Sequence, residues 1–513
     1  MPQIKDKFTN IFNIRTPYER RVFWIIAGSA ILLCASVIFI SPYVILAAIL
    51  TIACVALAIA RPYLLAVAIA IWTVFEPFLL KFVPDELYVF ARYFPEVAVY
   101  ILAVLVVVHV FVEHGTVPYT PLNFPFVLFL VSLAASVIVN LVPLGVATLG
   151  VRQIIRYFVL FFAVSYLAPP GKRIRQTVYI MLGVAFFESL LGIVQAALGG
   201  AIDTFLLPSG SKFYESIQLT AGVEQFWAPG QRIFATMGRY DQLGTFLCFF
   251  LLIALGLAYE LKKREDHRPL WIFFLAGLPA LVLTYSRASW FGFLLGFIII
   301  GWFIKRDRRI AAIVTAFAAL AISFYLYDRV VLRYLIDVPE QTITERFFDT
   351  FSMESLKGEY YGLGRVYWLI QTPLTVVPAA PFFGLGPGMF GGGAASALHN
   401  TTAYDRLGLP FGVYGTDGQI DSNWMSLWGE LGTVGLIIYA LLMYFMVRTA
   451  WRVYKHSADP FNRGLALGYI GAFSAVMMQA FLGTYLEVRT LALYLFFFAA
   501  LIVVIGKREE ISV

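Results

Sequence analysis

The chain has 513 residues, 60% of them hydrophobic and only 13% charged, with a formal net charge of +7. A soluble domain carries about 25% charged residues, so this composition excludes a soluble enzyme. The basic residues fall in short loops rather than on one continuous face, which argues against a nucleic-acid surface. Apolar runs long enough to cross a ~30 Å hydrocarbon layer recur along the chain, and the short alternating strands of an outer-membrane barrel are absent. The fold class expected is an all-α polytopic membrane protein.

In chain order, residues 1–21 are polar and basic and lead into an apolar run without a small-residue cleavage site, so they read as a cytoplasmic segment and not as a removable signal peptide. Fourteen helices are expected, at 22–40, 42–60, 64–83, 94–113, 122–143, 150–168, 174–198, 240–261, 269–285, 288–304, 310–328, 425–448, 462–482 and 487–506. The first eleven fill 22–328 around a loop at 199–239; a large loop at 329–424 precedes the last three, and 507–513 form a tail. Basic residues of the N-terminal segment, Arg61, Lys172 to Arg175, Lys262 to Arg268, Lys305 to Arg309, Arg448 to Arg463 and Lys507/Arg508 all fall on one side by this count. The positive-inside rule makes that side cytoplasmic and places both long loops outside. The second loop is rich in aromatics and aliphatics, and stretches such as GRVYWLIQTPLTVV suit short amphipathic helices, so an ordered lid is expected. Cys34, Cys54 and Cys248 lie in apolar runs, which leaves no disulfide framework and no cysteine metal site.

Charge at the external side is the feature that needs a purpose. Arg152 and Arg156 stand at i and i+4 in GVRQIIRYF; Arg232 opens RIFATMGRYDQLG; Arg287 lies in SRASW; Arg365 lies in GRVYW. Guanidinium groups stay charged and grip phosphate bidentately, so an external set suits a diphosphate headgroup at the lipid interface. The competing reading is that each snorkels or pairs with Glu96, Glu188, Glu224 or Asp241. Asp421, followed by Ser422 and Asn423 at a helix start, is either an N-cap or a general base facing a hydroxyl. His399 is the alternative base. Aromatic residues Trp227, Tyr360, Tyr361, Tyr367, Trp368 and Trp424 offer faces for sugar stacking or belong to an interfacial belt. GLGPG lacks the Lys-Ser/Thr of a phosphate loop and is read as tight turns. No metal-ligand motif is present and no cofactor is called for. Glu76 and Glu188, inside apolar runs, give slight support to a transporter.

Taken in order, SRASW, GRVYW, PFFGLGPGMF and DSNWMSLWGELGTVGL, with RIFATMGRYDQLG upstream, resemble the O-antigen ligase and O-antigen/exopolysaccharide polymerase family over roughly 150–450. The resemblance implies a membrane glycosyltransferase of the GT-C type whose donor and acceptor are glycans on undecaprenyl pyrophosphate, with a flippase and a chain-length regulator as partners. It aligns Arg287 and Arg365 with arginines that hold the diphosphate and makes Arg232 a third candidate; from the residues themselves Arg152, Arg156, Asn423, Tyr367, Trp368 and Trp424 are further candidates for substrate binding. Counting back from Glu430, Asp421 falls where ligases carry histidine, which favours a polymerase over a ligase. His399-Asn400 reproduces the dipeptide but no span follows it.

Overall fold

The computed structural model describes residues 23–24, 27–28, 42–114, 118–208, 210, 212–214, 217–220, 230–261, 264–327, 352–416, 418–487 and 489–511. The first expected span, 22–40, falls outside the described residues apart from two short pieces, as does Trp227. A helix stands at each of the other thirteen positions: α1 (Pro42–Ala60), α2 (Pro62–Leu80), α3 (Asp85–His114), α4 (Asn123–Val139), α5 (Leu144–Leu167), α6 (Gly171–Ala197), α7 (Tyr240–Glu260), α8 (Arg264–Leu283), α9 (Arg287–Ile298), α10 (Arg308–Tyr327) and, after the lid, α13 (Asn423–His456), α14 (Pro460–Gln479) and α15 (Arg489–Arg508). Among the described residues eight helices are long and apolar enough to cross a membrane, and three shorter apolar ones accompany them. The protein is a polytopic all-α membrane protein; a small hairpin, β1 (Lys212–Tyr214) and β2 (Ile217–Thr220), is a minor addition.

The largest departure from expectation is α3, which begins at Asp85, nine residues before the expected 94, and keeps Pro95 inside it. The acidic first turn, Asp85 and Glu86, suits a helix N-terminus, and Arg92 is matched by Glu76 at 2.7 Å, so charge that reads as loop is carried within the helix.

The bundle closes through small residues, as expected where the surrounding lipid gives no hydrophobic drive between helices. Along α14, Gly464, Gly468 and Gly471 face α7 and α9: a methyl group on Gly256 of α7 would lie 2.1 Å from the Gly468 amide nitrogen, and one on Gly296 of α9 would lie 2.8 Å from the Gly471 oxygen. The α7–α14 seam is therefore a backbone-to-backbone contact. α15 is buried along nearly its whole length at the centre of the bundle. At one end the basic loops meet acidic partners: Glu260 receives Lys305 and, at 2.9 Å, Arg463, while Arg175 pairs with Asp459 at 3.0 Å. The lid lies at the other end.

The lid's described part starts with α11 (Met353–Tyr361) and α12 (Arg365–Gln371), which continues through a wider π turn to Ala379. Its own core consists of Trp368, Val376, Leu385, Phe390, Ala403, Tyr404, Val413 and Ile420. The join to the bundle is made at Gly432, which has φ +65° and ψ −172° and breaks α13 after its first nine residues. A broken helix strands backbone groups that lipid cannot satisfy, and Pro381–Gly386 supplies the partners. Thr433 N donates to Pro381 O at 2.9 Å and Val434 N to Phe382 O at 3.2 Å, while Leu385 N and Gly386 N donate to Gly429 O and Glu430 O at 2.8 and 2.9 Å. Ser136 of α4 adds a hydroxyl donor to Phe383 O at 2.6 Å. PFFGLG and GELG are thus two halves of one joint.

Replacing Gly432 with alanine forces a Cβ to 2.4 Å from the Gly384 nitrogen at a dihedral that side chains avoid. We expect Gly432→Ala to abolish monodisperse protein in detergent, read by size-exclusion chromatography. Gly358→Ala, in α11 with open space around it, should be neutral or stabilising by ~0.5–1 kcal/mol in a thermal melt. Comparable behaviour of the two variants would contradict the joint.

Candidate active site

A cavity of about 850 Å³ opens between the lid and the bundle, at the end opposite the basic loops. Its wall contains Arg232, Arg239, Arg287 and Arg365 together with Asp241, Glu359, Asp421 and Glu487, and four tyrosines, Tyr240, Tyr285, Tyr414 and Tyr485. Arg232 and Asp241 are nine sequence positions apart, yet Arg365, Asp421 and Glu487 come from the lid and the last loops, so the site exists only when lid and bundle are joined.

Each arginine is placed by a short sequence device. In RIFATMGR the residues Ile233 to Met237 are buried. They are pinned because Gln195 accepts from Phe234 N and Ala235 N at 3.0 and 2.9 Å and Glu188 accepts from Thr236 N and its hydroxyl at 3.1 and 2.7 Å. The two flanking arginines, Arg232 and Arg239, emerge on the cavity. Arg232 stacks on Tyr240, its guanidinium carbon 4.2 Å from the ring centre. Arg239 grips Asp241 with two bonds, 3.0 and 2.9 Å. In YSRASW, Tyr285 turns the chain at φ +53°. Ser286 and Ser289 share a 2.8 Å bond against Gly244, and Trp290 Nε1 donates back to Leu281 O at 3.0 Å. This leaves Arg287 as the first residue of α9, in the cavity wall. The lid repeats the device: Leu363 at φ +60° precedes Gly364, and Arg365 is the first residue of α12. Helix N-termini carry partial positive charge, so an arginine placed there adds to a like potential. That costs stability and favours an anion.

Arg365 Nε donates to Asp421 at 3.2 Å, with the two side chains 35% and 39% exposed. Its main-chain N–H donates to Glu359 at 3.0 Å. Loss of solvent lowers the pKa of the Arg365 guanidinium, but Asp421, Tyr485 and Glu359 raise it more, and the net direction is up. Burial likewise opposes the charge on Arg239, and Asp241 overrides it in the same direction. Both therefore remain cations at any working pH.

Glu487 closes the floor. Gln153 and Gly393 N donate to its Oε2, the latter at 2.8 Å, and Asn423 donates to its Oε1 at 3.3 Å. Burial pushes the Glu487 carboxyl above the usual carboxylate range, against these donors and the nearby Arg156. Among the described residues no three His, Cys, Asp or Glu side chains are grouped to hold a metal ion; the positive charge facing the cavity is that of guanidinium groups.

The structure therefore brings together Arg232, Arg287, Arg365 and Asp421 but places the other sequence candidates elsewhere. Arg152 and Arg156 turn to Glu96, at 3.2 and 3.8 Å, and Arg156 also donates to the main-chain oxygen of Glu487. Asn423 is 1% exposed and accepts from Leu486 N at 2.7 Å, so it fastens the loop before α15 instead of reaching the cavity. Trp368 is wholly buried against Tyr367, Phe390 and Tyr404 and has no face left for a sugar. Tyr367 packs beside it. Trp424 packs on Tyr439 and Phe481, its Nε1 bonded to Met477 O at 3.0 Å. His399 is exposed at φ +47°, outside the cavity wall. Nor does Asp421 cap α13, since Ser422 holds that position without a side-chain bond. The acids behind the transporter reading have fixed partners: Glu76 receives Arg92 at 2.7 Å and Arg489 at 2.5 Å, and Glu188 receives Thr236. Reasoning from sequence missed Arg239, the cavity tyrosines and Glu487. Arg239 was legible as a second arginine in RIFATMGR; Glu487 was hidden because it opens an apolar run.

A multi-pass membrane protein with a cavity between lid and bundle walled by arginines and carboxylates is the class these observations define. Residues 271–440, about a third of the chain, match the family model described as O-antigen ligase, and this part of the chain is similar to that family. The match contains Arg287, Arg365 and Asp421 and leaves Arg232, Arg239 and Glu487 outside it. No curated protein matches the chain.

The raised pKa of Glu487 has a sign that can be checked. Between the unfolded and folded values the native state holds more protons, so stability falls as pH rises through that window. Glu487→Gln should remove this slope: its melting temperature relative to wild type should increase from pH 4 to pH 8. A constant difference across that range would show that the carboxyl titrates alike in the folded and unfolded chain, so that burial does not raise it.

Proposed function

We propose that this protein is a bacterial surface-polysaccharide polymerase. In this reading it transfers glycan from undecaprenyl pyrophosphate to a sugar hydroxyl of another lipid-linked unit, at the periplasmic or external face of the cytoplasmic membrane. The observation that carries the reading is the convergence of Arg232, Arg287 and Arg365 with Asp421 on one cavity at the end opposite the basic loops. The resemblance that puts Asp421 where ligases have histidine favours a polymerase over a ligase acting on lipid A core.

The chemistry is a direct displacement. The acceptor oxygen bonds to the anomeric carbon as the bond from that carbon to the diphosphate oxygen breaks; the electron pair leaves with the diphosphate, and the acceptor proton goes to Asp421. The anomeric centre inverts. Arg287 and Arg365 neutralise the leaving diphosphate, the kind of electrostatic contribution that is often the largest catalytic one.

The Arg365–Asp421 pair suggests how the steps are ordered. A carboxylate bonded to arginine is a poor base. A pair about one-third exposed is worth only ~0–1 kcal/mol, so a dianionic diphosphate can displace it. Donor binding would then draw Arg365 to phosphate and free Asp421 for the acceptor. The Arg239–Asp241 pair, bidentate and with Asp241 only 12% exposed, is the one that stays closed.

Purified protein in nanodiscs with lipid-linked repeat units should give a ladder of chain lengths. A single transfer to lipid A core and no ladder would favour the ligase instead. Asp421→Asn should reduce turnover to background while leaving donor binding intact, and Arg287→Ala or Arg365→Ala should each lower kcat by ~10²–10³. Normal turnover by Asp421→Asn would remove the aspartate from the mechanism.

A further inference from the structure

Of the aromatic side chains expected to stack on sugar, Trp368 is enclosed in the lid core and Tyr367 and Trp424 are packed against neighbours, which leaves open what holds the glycan. Tyr414 is placed to do so. It sits in a flap, Phe411–Thr416, whose base is fixed: Val413 N donates to Gln419 O at 2.9 Å, Gly418 N to Phe411 O at 3.1 Å, and the Tyr404 hydroxyl to Gly418 O at 2.6 Å. Gly412, at φ +68°, lies so close to Gly418 that a Cβ would stand 2.5 Å from its nitrogen. In the flap Tyr414 adopts φ +56° and ψ +10°, a conformation disfavoured for any residue with a Cβ. Such strain persists only where the surroundings impose it, and it concentrates at functional positions. The Tyr414 amide donates to Leu363 O at 3.3 Å, tying the flap to the turn that presents Arg365.

Tyr414 is 67% exposed and lines the cavity, whereas Trp368 and Tyr404 of the same lid are fully buried; Tyr361 is also exposed but lies off the cavity wall. We propose that Tyr414 is a saccharide-stacking platform that holds one pyranose ring of the lipid-linked glycan beside Arg365. The proposal rests on the reading of the cavity as a glycan-diphosphate site. An aromatic face against the C–H face of a sugar needs no complementary charge, and the polar hydroxyl edge remains in the wet cavity.

Two probes separate the sugar from the lipid diphosphate: undecaprenyl pyrophosphate, and undecaprenyl pyrophosphate carrying a glycan repeat unit. Binding is measured to the full-length protein in nanodiscs. Tyr414→Ala and Tyr414→Gly should each raise Kd for the glycan-bearing lipid about tenfold and leave Kd for the bare lipid unchanged. Tyr414→Phe should bind both within about twofold of wild type. Because glycine accepts φ +56° freely, Tyr414→Gly should also melt no lower than wild type, which separates lost binding from lost folding. Unchanged affinity for the glycan-bearing lipid in the alanine and glycine variants, or an equal loss for both lipids, would overturn the platform. Failure of the wild-type protein to bind either lipid would instead refute the underlying assignment of the cavity.

Discussion

The architecture depends on one constraint: backbone groups freed by a break in a membrane helix must find partners within the protein. Gly432 breaks α13, and the partners are main-chain groups of Pro381–Gly386. This hydrogen-bonded joint fixes the lid on the bundle, and the side chains of Ser136 and Glu430 add to it, the latter accepting from Gly388 N at 2.9 Å. Because Arg365 belongs to the lid, Arg287 to α9 and Asp421 to the turn entering α13, their spacing is a property of the joint. Motif glycines that resemble a ligand loop are thus the mechanical basis of the site.

Around that joint the charges divide into two kinds. Arg92 and Arg489 on Glu76, and Arg152 and Arg156 near Glu96, are buried or half-buried groups that tie α2, α3, α5 and α15 together. Breaking one of these would leave an uncompensated buried charge, at a cost of ~3–5 kcal/mol. Arg365 and Asp421, by contrast, share a single 3.2 Å contact in an open cavity. Two pairs of the same chemistry have different consequences because only the second can be exchanged for a ligand without exposing a buried ion. That distinction selects Arg365 as the mobile cation, and makes Arg152 and Arg156 part of the frame.

Much of this was legible in the sequence. Helix positions followed from apolar runs and the charged loops between them, and the opposition of arginines to the positive-inside bias located Arg232, Arg287 and Arg365. What was not legible required distance. Trp368 and Trp424 have the composition of a sugar site but are enclosed by residues far along the chain, and nothing local signals enclosure. Asn423 reads as a partner in chemistry because it stands two residues from Asp421, yet the helix start sends one to the cavity and the other to Leu486. Tyr414 carries no sequence signal except the glycines around it, which read simply as turns until the flap is seen in space.

The central claim is that the cavity holds a lipid diphosphate which takes Arg365 from Asp421. The measurement that tests it most directly is a structure of the protein in a lipid nanodisc with its undecaprenyl-pyrophosphate-linked glycan bound. The account predicts the diphosphate between Arg287 and Arg365, the Arg365–Asp421 contact opened, and Asp421 turned towards the space where an acceptor hydroxyl would lie. A diphosphate located away from these arginines, or an intact Arg365–Asp421 pair with donor bound, would contradict it.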